Sequence, residues 1–108
     1  MTEQTNIIWT TTTQIDAKIE GRIVLTKKEL TIEMTKESLE KVDKKGRELA
    51  EKLMNVFLPY TVEIKNIRKV KRGPKKIVLV TGFFKRCTIG IPEPELSQLE
   101  AELNRLIK

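Results

Sequence analysis

The chain has no histidine and a single cysteine, Cys87, among its 108 residues. Without imidazole, Ser-His and Cys-His nucleophile pairs cannot be built, nor can a zinc site with nitrogen ligands. One thiol makes neither an intrachain disulfide nor a thiolate metal cage, and a reducing cytoplasm is the expected compartment. Aromatic residues are scarce, at 5%. No apolar run exceeds Ile77-Val78-Leu79-Val80, far short of the roughly 18–20 residues that cross a bilayer. The opening Met-Thr-Glu-Gln-Thr-Asn lacks the basic and apolar regions of a secretory signal. Carboxylate chemistry stays open, but the acids mostly alternate with lysines in helical stretches, as on a solvated face. A protein that is not an enzyme and needs no cofactor or metal is expected.

What is present is charge, unevenly spread. The chain carries 21 basic and 15 acidic residues, a net +6. Between Glu63 and Arg86 lie nine bases and one acid, so that window holds +8 and the rest sums to −2. A concentrated positive field attracts anionic surfaces. An apolar content of 39% and a charged content of 33% fit a folded protein, and the length fits a single domain, 1–108. Charges dominated by Lys and Glu, with short loops, resemble the composition of heat-adapted proteins.

Residue periodicity predicts the elements. Ile7, Trp9, Thr11, Thr13, Ile15, Ala17 and Ile19 alternate with polar residues, which predicts a strand ending at Gly21. Two short strands follow, Ile23 to Thr26 and Leu30 to Met34. The period then changes: Leu39, Val42, Gly46, Leu49, Ala50, Leu53, Met54 and Phe57 share one helical face. That predicts a helix over 36–58, capped by Thr35 and ended by Pro59. Val62 and Ile64, then Ile67 and Val70, point inward, with a change of face that predicts a bulge or bend. Arg72-Gly73-Pro74 predicts a turn, 75–81 a central strand and 84–91 a returning one. A last helix, 94–107, carries the stripe Leu96, Leu99, Leu103, Leu106 and Ile107. The expected architecture is α+β: a mostly antiparallel six-stranded sheet or partial barrel, ordered β-β-β-α-β-β-β-α, with two amphipathic helices.

Gly21-Arg22-Ile23-Val24-Leu25-Thr26, followed by Leu30-Thr31-Ile32, resembles the opening strands of pleckstrin-homology-like and GRAM-like domains. Val62 to Val70, Ile77 to Val80, the turn at Thr81-Gly82, and Thr88 to Ile91 resemble their later strands. Such domains also finish with an amphipathic helix. The chain departs from that pattern at 36–58, where the family has a short loop or another strand. The resemblance implies a binding scaffold, directed towards an acidic protein face or lipid headgroups. Residues 36–107 alone, α-β-β-β-α, resemble the small RNA-binding subunits of the eukaryotic signal recognition particle.

The candidate anion-binding residues are Lys65, Arg68, Lys69, Lys71, Arg72, Lys75 and Lys76, clustered around the Gly73-Pro74 turn. Phe83, Lys85 and Arg86 form a second group, because successive hairpin turns fall at opposite ends of antiparallel strands. Exposed hairpin tips also collect lysine for solubility alone. Three roles stay open: binding an acidic protein surface or lipid headgroup, contacting nucleic-acid phosphates through the same hairpin, and serving as an assembly subunit with solvated bases. Single-strand binding calls for stacking aromatics, and only Tyr60, Phe83 and Phe84 lie near the bases in sequence. Cys87 is either a core residue or a thiol made acidic by Lys85 and Arg86.

Overall fold

The computed structural model describes residues 7–16, 18–82 and 85–107, and its strands form two antiparallel sheets. β1 (Ile7–Asp16), β2 (Ile19–Thr26), β3 (Glu29–Met34) and β4 (Tyr60–Glu63) make the first, in sequence order. β5 (Lys69–Gly73), β6 (Lys76–Val80) and β7 (Arg86–Gly90) make the second. Helices α1 (Lys36–Lys41) and α2 (Lys44–Met54) connect β3 to β4, and α3 (Glu95–Ile107) follows β7.

The expected single six-stranded sheet or partial barrel is therefore corrected to an open pair of sheets, four strands and three. The division falls where the inward face changes. Ile64–Asn66 forms a 3-10 turn in which the Ile67 N–H donates to Ile64 O at 3.0 Å. Beyond it the Arg68 N–H donates to Val80 O at 2.7 Å, so the chain has left β3 and joined β6. Both Ile64 and Ile67 stay buried across the turn. A continuing strand would have turned one of them to solvent.

The first strand boundary also differs. Gly21 does not end a strand; it lies inside β2, opposite Thr13 and Met34. A side chain there would meet Ile15 Cδ1 at 2.7 Å, so this glycine admits close packing rather than a turn. The turn falls at Lys18, with Ala17 outside the described residues.

The 36–58 helix is two helices. Asp43 is extended and its side chain accepts the Gly46 N–H at 2.9 Å, starting α2 afresh. Asn55, at φ 62, ends it in the left-handed region. Of the stripe expected to be buried, only Ala50 and Met54 are; Leu39, Leu49, Leu53 and Phe57 are exposed.

The inner faces of both sheets share one core. Ile23, Leu25, Leu30 and Ile32 come from the first, Ile77, Leu79, Cys87 and Ile89 from the second, and Leu96, Leu99 and Leu103 of α3 complete it. Trp9 packs against that core and its indole N–H donates to Gln98 Oε1 at 3.0 Å, tying β1 to α3. No described helix is long and apolar enough to cross a membrane.

Candidate anion-binding face

Strand register decides where the bases point. In β5, Val70 and Arg72 stand opposite Leu79 and Ile77, whose side chains are buried. They therefore share the core-side face, and Lys69, Lys71 and Gly73 take the other. Following the pairs across β6 and β7 gives three rows on the outward face: Lys69–Val80–Arg86, Lys71–Val78–Thr88 and Gly73–Lys76–Gly90. With strands about 4.8 Å apart and about 7 Å between alternate residues, this face measures about 10 by 14 Å. Four bases thus surround half-buried Val78, Val80 and Thr88.

The turn is firmly held. Pro74 and Lys75 form a two-residue loop between the paired Gly73 and Lys76. The Ile91 N–H donates to Lys75 O at 3.0 Å, which anchors the loop to the strand after β7. Lys75 itself has φ 56, a conformation that disfavours a side chain. Lys76 lies back across Gly73, whose missing Cβ would sit 2.9 Å from Lys76 Cε.

Not every predicted base joins this face. Arg72 turns to α3: its guanidinium bonds Glu93, Ser97 Oγ at 3.0 Å and Glu100 Oε1 at 3.0 Å. Glu93 in turn accepts from the Ser97 backbone and hydroxyl, at 3.3 and 2.7 Å, so one carboxylate serves the first turn of α3 and Arg72 together. Lys65 follows β4 and pairs with Glu63 at 3.3 Å, beside Lys27 and Lys28 of the β2–β3 turn. Arg68 precedes β5 and is exposed. Lys69, Lys71 and Lys76 come together on the sheet, with Lys75 at its tip. Among the described residues none of these four has an ion-pair partner, and the same holds for Lys85 and Arg86.

Arg86 is at the opposite end of β7 from the hairpin tip, as expected, yet it shares a face and a row with Lys69. Sequence reasoning measured distance along the hairpin; parity counted across the strands would have joined them. Phe83 lies outside the described residues, as does Phe84. Lys85 is exposed and lines a cleft with Arg86, Tyr60 and Phe57. Phe57, placed by its spacing on the apolar face of the 36–58 helix, is 84% exposed.

Cys87 is a core residue. Burial alone pushes its thiol up to about 12, so it is protonated and unreactive at neutral pH despite its cationic neighbours in sequence. Burial also raises Tyr60, Cys87 adds to that, and a side-chain hydrogen bond with Thr81 opposes it. No family model, curated protein or solved structure matches the chain.

Proposed function

We propose that the chain is a non-catalytic binding module that engages an anionic macromolecule through the outward face of β5–β7. The observation that carries this reading is the row register, which gathers Lys69, Lys71, Lys76 and Arg86 on one flat face without a carboxylate among them. Like charges at this spacing repel, and an anionic partner relieves that repulsion while releasing its own counterions. Consecutive antiparallel strands closed by a C-terminal helix support a pleckstrin-homology-like or GRAM-like scaffold, with α1 and α2 inserted after β3. Because such scaffolds host many ligands, the chemistry of the face rather than the fold names the partner class.

Salt titration with oligonucleotides, anionic vesicles and polyglutamate tests the reading. Affinity for the bound class should fall with salt, and the combined change Lys69→Gln, Lys71→Gln, Lys76→Gln should flatten that dependence. If the partner is nucleic acid, the log–log slope should shrink by about 0.7–0.9 for every phosphate that the variant no longer neutralises. Unaltered binding by this folded variant refutes the proposal. The exposed Leu39, Leu49 and Leu53 favour a second reading, an assembly subunit that buries α1 and α2 against another chain. Light scattering over a range of protein concentrations tests it.

A further inference from the structure

We propose that the cleft beside Arg86 stacks a base of single-stranded nucleic acid whose phosphates continue onto the β5–β7 face. The inference rests on the binding-module reading and names its partner. Val56, Phe57, Tyr60, Thr81, Lys85 and Arg86 line this open cleft of ≈ 770 Å³, within the range of about 300–1,000 Å³ typical of small-molecule sites.

Phe57 is held out to solvent by its neighbours. Asn55 turns the chain through the left-handed region, and Leu58 is buried. The Leu58 N–H donates to Glu51 Oε2 at 2.7 Å, while its carbonyl accepts from Arg47 Nη2 at 2.6 Å. These bonds hold the backbone next to Phe57, whose ring stands in solvent. An apolar ring kept in water is costly unless it meets a partner.

That partner must offer a flat apolar surface and negative charge together, because Phe57 and Tyr60 share the cleft with Lys85 and Arg86. A nucleotide has both. A lipid headgroup has the charge but no aromatic face, and an acidic peptide supplies carboxylates without a ring at every residue. A duplex keeps its base faces stacked within the helix. Arg86 joins the two parts of the site, since it lines the cleft and also stands in the row Lys69–Val80–Arg86. The aromatics seat a base of any kind, and the lysines hold phosphates, so binding is strong in salt dependence and weak in sequence preference.

Fluorescence polarisation with a short labelled oligothymidylate, an abasic strand of equal charge and a duplex of equal length tests this. The full chain should prefer the oligothymidylate to both. Phe57→Ala should weaken that binding about 5- to 100-fold, leave the abasic strand and the salt slope unchanged, and be rescued by Phe57→Trp. Circular dichroism checks that the variants fold. Equal affinity for the thymidylate and abasic strands, wild-type binding by Phe57→Ala, or binding only to anionic vesicles or polyglutamate overturns the inference. In those cases the basic-face reading survives if the triple Gln variant still loses anion binding. Failure of every anion to bind sinks both.

Discussion

On the outer face of the first sheet, Glu20, Glu29, Glu33 and Glu63 stand with Arg22; on that of the second, Lys69, Lys71, Lys76 and Arg86 stand with no acid. The pairing rules differ as much as the sign. Arg22 directly faces Glu33, and the like pair Glu29–Glu63 has Lys65 at 3.3 Å from Glu63. In the second sheet no two bases are directly opposed: Val80 separates Lys69 from Arg86, and each of the other two rows holds a single base. Direct like-charge pairs destabilise a sheet, and this spacing avoids them. The first face stays net acidic, with four glutamates against Arg22 and the neighbouring Lys65, whereas the second is wholly basic and avoids direct like-charge pairs. Inward, both sheets present the same branched aliphatic surface to one core.

The strongest challenge to this contrast is to the common core. Ile32→Ala in the first sheet and Leu79→Ala in the second should each cost about 2–5 kcal/mol, because both side chains are fully buried in one cluster. Urea unfolding followed by Trp9 fluorescence and by circular dichroism should give coincident single transitions for both. Two separated transitions would mean that the sheets are independent layers.

The inner face of the second sheet carries a buried thiol, Cys87, whose titration reads the core. With the folded thiol of Cys87 raised from 9.0 to about 12, the unfolded chain releases this proton first. Its contribution is full below pH 9 and is lost as the pH rises towards 12, with a slope of at most about 1.4 kcal/mol per pH unit. Cys87→Val should flatten the alkaline limb of stability against pH. An unchanged limb would assign alkaline unfolding to other groups.

Arg72 sharpens the outer-face contrast, because it is a base of β5 that serves structure. Arg72→Ala should cost about 1 kcal/mol in denaturant unfolding, given a half-exposed network, and change anion affinity far less than Lys71→Gln does. The reverse ranking would return Arg72 to the binding face. The smallest effect is at the tip. Lys75→Gly removes a side chain from φ 56 and should raise stability by up to about 1 kcal/mol, less the entropy glycine loses on folding. Thermal unfolding reads it.

The strands were legible because burial follows period two, and the passage between sheets showed as the change of face from Ile64 to Ile67. What such spacing cannot show is how much of an apolar stripe finds a neighbour. Ala50 and Met54 meet the core, while Leu49 and Leu53, one step round the same helix, do not. Gly21 misled for a related reason: a missing side chain marks either a turn or a close approach, and only the position of Ile15 tells which. Asp43 was a readable cap between Val42 and Lys44, overlooked because the apolar spacing ran straight through it. For the bases, sequence proximity to Gly73 grouped Arg72 with the lysines, although alternation sends it to the opposite face. Arg86, thirteen residues from Gly73 in the numbering, shares a face with Lys69 through the ladder.

The final helix has a bearing on how the molecule comes into being. Leu96, Leu99 and Leu103 fill the space between the sheets, and Gln98 and Glu93 fasten Trp9 and Arg72. A nascent chain emerging from the ribosome only as far as Gly90 owns all seven strands but lacks this plug, leaving its greasy interior open to water. Closure is thus a late event in biosynthesis, and a ribosome-stalled intermediate at that point should need a chaperone's shelter.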